Sequence, residues 1–309
     1  MRPAVYIPNY NGSQRIGRAL GSLREQSRPV DVVVVDNGSS DNSVPLLREE
    51  FPEVTVLALE RNLGFGPALN RAVREHPADP LILLNDDAKA EPRFVEALLD
   101  AAAEGVQAVA GVIVQERDPR LIDSAGVVAD RTLMGFDYLH GEPVEAAAGA
   151  PDPLGPTGGA ALYDRASFEA VGGFDERMFL YYEDLDLALR MAGAGARCRL
   201  AADARAVHAY STSLGAGSGL KFAHTGWSRG YMLRRYGVMS QPRLALRALA
   251  CEGALCAGQL LMDHTAKGVG GRLRGWRDGA GLATNDLDGA ALLDISARQA
   301  LALRRRRRG

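Results

Sequence analysis

The chain of 309 residues is 47% hydrophobic and 24% charged, which fits one large or two unequal globular domains and excludes a disordered chain, a collagen or a disulfide scaffold. Its formal net charge of −2 argues against a large polyanionic partner for the chain as a whole. The charge is unevenly distributed, because residues 234–309 hold 14 Lys or Arg against 6 Asp or Glu, a net +8, and the remaining residues are net −10.

Short apolar runs alternate with amphipathic segments in the first half of the chain. Runs rich in Val, Ile and Leu predict strands at residues 4–7, 32–35, 55–59, 81–84 and 108–114. The segments between them predict helices at residues 15–25, 43–50, 66–75 and 92–104, with Asp41 as a cap of the second helix. This alternation predicts a mostly parallel sheet with helices on both faces. Ligands of such sheets bind beyond the carboxyl ends of the strands.

Polar residues follow four of the predicted strands, at residues 8–12, 36–41, 61–66 and 85–87. Asn, Asp, Gly and Ser also make ordinary turns, but four such loops at one edge of a sheet favour a polar ligand site. The Walker pattern is absent, and residues 64–69 have Leu69 where a dinucleotide fingerprint needs its third glycine. Two adjacent acids in a tight turn, Asp86 and Asp87, can instead bind a hard cation.

Several motifs in order are similar to those of family 2 glycosyltransferases of the GT-A fold, in particular the bacterial rhamnosyltransferase-like and galactofuranosyltransferase-like branch. The resemblance covers residues 3–235. The matching stretches are PNYNG (8–12), VVVDNGSSD (33–41), NLGF (62–65) with Asn70, LLNDD (83–87), VGGFDE (171–176), YEDLDL (182–187) and His208. The resemblance implies an α/β GT-A fold over residues 1–235, followed by a helical C-terminal extension over residues 236–309.

The resemblance also implies a donor site and a divalent cation, Mn²⁺ or Mg²⁺. Asp87 and His208 stand at the metal-binding positions, and Asn85 replaces the first acid of the family's DXD element. Without the resemblance, His208 among Ala and Val would be a packed core histidine. The residues expected to contact the nucleotide-diphosphate sugar are Pro8, Asn9, Tyr10, Asp36, Asn37, Asn62, Gly64, Asn85 and Asp86.

Asp184 stands at the position of the family's general base, which takes the proton of the attacking acceptor hydroxyl. One displacement then inverts the anomeric configuration, without the second catalytic carboxylate that paired-carboxylate hydrolysis uses. Gly158, Gly159 and Glu183 are expected to lie at the sugar or acceptor pocket, although the two glycines could also form a strand bulge. Trp227 could stack on an acceptor sugar or simply pack.

The basic C-terminal segment leaves two interpretations open. The first is an interfacial anchor on anionic lipid, which suits a predicted amphipathic helix with a cationic stripe (Arg243 and Arg247), Trp276 and five terminal arginines, residues 304–308. An anchor of this kind would suit an enzyme that acts on a lipid-linked acceptor. The alternative is a pair of helices packed on the catalytic domain or on a second copy in a homodimer. Interleaved aromatic residues and a recognised module are missing, so no nucleic-acid partner is expected.

Localisation follows from what the sequence does not contain. No signal peptide is expected at the start, and no uncharged apolar run reaches the length of about 18 residues that a spanning helix needs. The three cysteines are typical of core residues in a reducing compartment. A cytoplasmic glycosyltransferase, either free or on the inner face of the plasma membrane, is therefore predicted. The alternatives are a sugar-phosphate nucleotidyltransferase, whose activating loop is missing, and a non-catalytic sugar-binding module.

Overall fold

The computed structural model describes residues 2–208, 219–287 and 289–306, with side chains up to residue 303. The strands are β1 Ala4–Asn9, β2 Asp31–Asp36, β3 Thr55–Ala58, β4 Leu81–Leu84, β5 Ala88–Ala90, β6 Ala108–Gln115, β7 Ile122–Ser124, β8 Val127–Ala129, β9 Gly135–Asp137, β10 Ala160–Tyr163 and β11 Cys198–His208. The α-helices are α1 Ile16–Arg24, α2 Ser43–Glu50, α3 Phe65–Glu75, α4 Phe94–Ala101, α5 Arg165–Ala170, α6 Glu183–Gly193, α7 Gly219–Arg235, α8 Pro242–Met262, α9 Lys267–Asp278 and α10 Ala297–Arg306.

A nine-stranded sheet forms the centre of the molecule, in the order β3-β2-β1-β4-β10-β6-β11-β5, with β7 also paired to β6. The strands β3, β2, β1 and β4 are parallel, as are β6 and β11, whereas β10 runs antiparallel between β4 and β6. The α/β class, the mostly parallel sheet and the C-terminal helices predicted from the sequence are confirmed. The short strands β5 and β7 to β9 were not predicted, because three residues are too few to show a period.

Apolar clusters lie on both faces of the sheet, because its central strands turn alternate side chains to opposite sides. Val5, Ile7 and Val34 pack with α1, α2 and α4 on one face. Tyr6 and Val33, together with Leu83 of β4, pack with α3 and α6 on the other. Burial on both faces explains why the strands are continuous apolar runs rather than alternating ones. The loops at the strand ends therefore carry the polar side chains.

Two helices that follow the sheet approach each other at backbone distance. A Cβ atom added at Gly226 or Gly230 of α7 would lie 2.3 or 2.0 Å from a carbonyl oxygen of α9. One added at Gly271 or Gly275 of α9 would lie 2.3 or 1.9 Å from a carbonyl oxygen of α7. The glycine-rich segment of the sequence is thus a helix whose glycines permit this contact, since a side chain would separate the backbones.

Candidate active site

The loops after β1 and β2 are joined at the carboxyl edge of the sheet by buried hydrogen bonds. Asn9 Nδ2 donates to Asp36 Oδ1 at 2.7 Å, and the backbone N–H of Ser39 donates to Asp36 Oδ2 at 3.0 Å. Asn9 and Asp36 are both 1% exposed. The buried carboxylate is therefore held in one orientation by the loop that carries it. The predicted capping role of Asp41 was wrong in part: Asn42 is the N-cap of α2, and Asp41 accepts from the N–H of Ser13 and Ser43.

The loop after β3 is fixed to the loop after β2 by two asparagines. Asn37 Nδ2 donates to Asn62 Oδ1 and to the carbonyl oxygen of Gly64, each at 3.0 Å. Asn37 Oδ1 accepts the N–H of Leu63 at 2.8 Å. Gly64 has φ +97°, and a Cβ there would lie 2.5 Å from the carbonyl oxygen of Phe179. The structure therefore brings Asn9, Asp36, Asn37, Asn62 and Gly64 into one continuous network.

The Asn85-Asp86-Asp87 turn connects β4 to β5 and lies beside the first loop. Arg15 pairs with Asp86, its Nη2 2.9 Å from Oδ2. Burial raises the pKa of Asp86 to about 6, although Arg15 opposes the shift. A Cβ on Gly12 would lie 2.2 Å from Asn9 Oδ1 and 2.6 Å from Asp86 Oδ2. Glycine at this position therefore lets the loops after β1 and β4 approach each other.

His208 ends β11 and lies between two carboxylates. The antiparallel pairing of β11 with β5 places His208 opposite Ala88, next to Asp87. His208 Nε2 is 3.0 Å from Asp87 Oδ1, and its Nδ1 is 3.2 Å from Asp123 Oδ2. Burial would lower the pKa of His208, but the carboxylates of Asp123 and Asp87 raise it to about 10. The structure thus adds Asp123 to the two side chains that the sequence singled out.

The loop before α6 has an unusual backbone. Tyr181 and Tyr182 have φ of 69° and 71°, a left-handed conformation that costs about 1–3 kcal/mol per residue and that clusters at functional sites. Glu183 and Asp184 follow directly and begin α6. Phe179 in the same loop accepts the N–H of Phe65 at 2.9 Å. This contact ties the start of α6 to the loop after β3.

The two acids that begin α6 lie in different environments. Glu183 is 7% exposed, and its Oε2 has no hydrogen-bond partner among the described residues. Burial, reinforced by the charge of Asp184, raises the pKa of Glu183 to about 8. Asp184 is half-buried, and its Oδ1 accepts the N–H of Leu185 at 2.8 Å. At neutral pH, therefore, Glu183 is largely protonated.

Gly158 and Gly159 precede β10 and lie against residues that follow β3 and β4. A Cβ on Gly158 would lie 2.6 Å from the ring of Phe65, and Gly159 accepts the N–H of Asn85 at 3.4 Å. Pro8 ends its strand beside Asn9, and Tyr10 is 46% exposed at the mouth of the first loop. The structure thus places these residues at the same edge of the sheet.

A cavity of about 410 Å³ opens beside the loop that precedes α6. Phe179, His224, Trp227 and Arg274 are among its lining residues. Trp227 stacks on Tyr231 with ring centroids 4.8 Å apart, and its Nε1 donates to Asp278 Oδ2 at 2.8 Å. Its packing role is thus established by contacts. A larger cavity of about 730 Å³ lies where β1 to β3 begin, at the opposite edge from these loops.

Two side chains of the site were missed by sequence reasoning. Arg15 stands just after the first loop, and a basic residue next to a polar loop was the only signal that the sequence offered for its pairing with Asp86. Asp123 lies in a stretch with weak periodicity and reaches His208 only because β7 and β11 both pair with the end of β6. No local pattern in the sequence indicates that contact.

The chain is similar to known proteins over much of its length. Residues 4–172 match the model of glycosyl transferase family 2. The chain belongs to glycosyl transferase family 2. A relative from Mycobacterium tuberculosis, N-acetylglucosaminyl-diphospho-decaprenol L-rhamnosyltransferase, is 31% identical over 224 residues, which are 62% of this chain and 71% of the relative.

Solved structures show that this family 2 glycosyltransferase has the GT-A fold. A Pyrobaculum calidifontis mannosyltransferase in complex with GDP-mannose and Mn²⁺ superposes with a TM-score of 0.53 at 19% identity, over 90% of this chain and 86% of that one. GalNAc-T7 with UDP, GalNAc and Mn²⁺ superposes with a TM-score of 0.62 at 14% identity, over 92% of this chain and 55% of that one. At these identities the likeness concerns the fold alone.

Proposed function

We propose that this glycosyltransferase is an inverting, metal-dependent enzyme that transfers a sugar from a nucleotide-diphosphate donor to a lipid-linked or glycan acceptor. Rhamnose from dTDP-rhamnose is the first candidate, because the M. tuberculosis relative is named a rhamnosyltransferase that acts on a decaprenol-linked sugar; a UDP-hexose is the second. The observation that carries the proposal is the convergence of Asp36, Asp87 and His208 at one edge of the sheet, beside the loop that leads to Asp184. We also propose a cytoplasmic enzyme and a domain division at residues 235 and 236.

The donor nucleotide is assigned to the network around Asp36. Its carboxylate is oriented by Asn9 and Ser39. A carboxylate accepts hydrogen bonds, so it can bind the N–H groups of a nucleobase or the hydroxyl groups of a ribose. Asn37, Asn62 and Gly64 of the neighbouring loops are assigned to the same nucleotide site. Pro8 and Tyr10, on either side of Asn9, are also assigned to it. Asp86, paired with Arg15, is assigned to the donor sugar, with Asn85 behind it.

The residues around Asp87 fit a divalent cation. Asp87 Oδ1 is buried with no hydrogen-bond partner among the described residues and lies 3.0 Å from His208 Nε2, so a carboxylate oxygen and a ring nitrogen, both common ligands of divalent cations, lie side by side. No group of three His, Cys, Asp or Glu among the described residues has ligand spacing, and cations of this type bind through few carboxylates plus substrate phosphates. The Mn²⁺ in both structural relatives supports this assignment. A cation held by Asp87 and His208 would stabilise the charge of the departing diphosphate.

Asp123 is assigned as a positioning residue for His208. A histidine that ligates a metal commonly donates its other ring N–H to a carboxylate, which fixes the tautomer and the ring orientation. Asp123 Oδ2, 3.2 Å from Nδ1 of His208, is placed for that role. With Nδ1 of His208 held by Asp123, Nε2 would be the ring nitrogen that faces Asp87 and the cation.

The proton transfer is assigned to Asp184. The C–O bond between the anomeric carbon and the diphosphate breaks as the acceptor oxygen forms its bond to that carbon, and the hydroxyl proton passes to the carboxylate of Asp184. Burial raises the pKa of Glu183 and favours its protonated form, so Glu183 is a poor acceptor for a second proton and the role of base is assigned to Asp184. Glu183, Gly158 and Gly159 are assigned to the wall of the sugar or acceptor pocket.

A donor screen with and without EDTA tests the proposal. We expect Mn²⁺- or Mg²⁺-dependent release of nucleoside diphosphate with one donor class, and a loss of about 10³-fold or more in kcat for Asp184→Asn, since positioned general bases contribute about 10²–10⁴-fold. Donor binding by this variant should remain within a few-fold of the wild type. Glu104→Gln, at an exposed position just after α4 and outside the matching motifs, is the control. Full turnover by Asp184→Asn would exclude it as the base, and EDTA-resistant turnover would exclude the cation.

A further inference from the structure

From Leu246 to its end, helix α8 exposes one face that contains only apolar and small residues. The exposed positions recur at helical spacing, and they are Leu246, Leu249, Ala250, Gly253, Ala254, Ala257, Leu260, Leu261 and Met262. The four leucines are between 47% and 77% exposed. A contiguous apolar surface of this kind marks an interaction site rather than ordinary protein surface.

The opposite face of α8 is held by buried ion pairs. Glu252 lies between two arginines, with its Oε1 2.7 Å from Arg229 Nε and its Oε2 2.5 Å from Arg272 Nε. Arg247 pairs with Asp130, which is fully buried, at 2.8 Å. Arg229 also donates to the carbonyl oxygens of Thr132 and Leu133. These contacts fasten α8 to the rest of the molecule.

The arrangement corrects the expectation of an outward cationic stripe on this helix. Arg247, Ala248, Cys251 and Leu255 lie on the packed side, and the exposed side is apolar instead. By length and composition α8 could cross a bilayer, contrary to the expectation that no such segment exists. Crossing would separate Glu252 and Arg247 from their partners, and breaking buried pairs is strongly destabilising. A helix that stays docked can only lie flat on a membrane.

The charge of the C-terminal segment selects the occupant of this face. Arg243 at the start of α8 and Lys267, Arg274 and Arg277 of α9 are exposed, as is Leu273, and residues 234–309 carry a net +8. A second copy would bring like charges together, whereas anionic headgroups complement them. We propose that the apolar face of α8 rests on an anionic lipid bilayer. The side chains of residues 304–306 and all of residues 307–309 lie outside the described part of the chain. The terminal arginines therefore support the proposal only through their contribution to the net charge.

The proposal rests on this helix face and on the positive charge of the C-terminal segment, and it is independent of the proposed function. Flotation of the full-length protein tests it, with vesicles of phosphatidylcholine and phosphatidylglycerol in equal parts, and with pure phosphatidylcholine. We expect the protein to float with the mixed vesicles and less with the neutral ones. Leu249→Glu/Leu261→Glu should weaken partitioning about tenfold or more, because apolar area buried in the interface sets the affinity.

Thr55→Glu/Ala103→Glu is the matched control, since both positions are exposed in the catalytic region and the charge added is the same. It should float like the wild type. Equal flotation of Leu249→Glu/Leu261→Glu, or no flotation of the wild type, would overturn the proposal. A wild-type dimer that the variant separates, seen by light scattering, would assign the face to a second copy instead. Leu249→Ser/Leu261→Ser replaces the glutamates if they prevent folding, and donor turnover, followed separately, reports on the proposed function.

Discussion

The loops at the edge of the sheet and the C-terminal helices both bury carboxylates, but these carboxylates are paired differently. At the edge of the sheet, Asp87 Oδ1 has no hydrogen-bond partner among the described residues, although His208 Nε2 lies 3.0 Å away. Glu252 has both oxygens occupied by arginines. A carboxylate with spare acceptor capacity indicates function, and one that is fully paired indicates structure. Charge alone does not separate the two cases.

The largest effect is expected where a fully paired carboxylate is removed. The charges of Arg229 and Arg272 outweigh burial and lower the pKa of Glu252 to about 2. Glu252→Gln leaves the buried Arg229 without its countercharge, a change that costs about 3–5 kcal/mol of the free energy of unfolding. Urea unfolding measures this cost.

A surface pair provides the control for Glu252. Arg24 and Glu53 lie 2.7 Å apart, with side chains about half exposed, and pairs of this kind contribute about 0–1 kcal/mol. Glu53→Gln should therefore change the free energy of unfolding far less than Glu252→Gln does. Equal costs for the two variants would contradict a structural role for Glu252 that differs from that of a surface pair.

A smaller effect, confined to the site, is expected for Asp123. Asp123→Asn should weaken Mn²⁺ binding about 10–100-fold, the usual cost of losing the carboxylate behind a ligating histidine. Electron paramagnetic resonance of Mn²⁺, with saturating dTDP or UDP, measures the affinity directly and without turnover. Asp118→Asn is the control, because Asp118 lies just before β7 but pairs with Arg120 on the surface. Unchanged Mn²⁺ affinity in Asp123→Asn would remove Asp123 from the metal site.

The same contrast explains how far the sequence predicts the structure. Strands β1 to β4 and β6 are recoverable, because each is a continuous apolar run and a polar loop follows the first four. The contact of His208 with Asp87 was reached only through family resemblance, since 121 positions separate them in the sequence. Arg247 and Glu252 argued against a long apolar helix in the sequence, yet they are the residues that dock it. Their partners come from distant segments, which no local pattern reveals.

A pH-dependent effect is expected for Glu183, a buried acid that the predicted site contains but that makes no ion pair in the described part of the chain. Burial raises its pKa from 4.5 to about 8, so the folded chain holds a proton that the unfolded chain releases at lower pH. The contribution of protonated Glu183 to the free energy of unfolding is therefore fully present below pH 4.5. It is lost as the pH rises toward 8, by at most about 1.4 kcal/mol per pH unit. Glu183→Gln should flatten this decline in urea unfolding between pH 5 and 8, whereas Glu50→Gln, at an exposed site on α2, should leave it intact. A decline that persists in Glu183→Gln would mean that another group, not this acid, binds the proton.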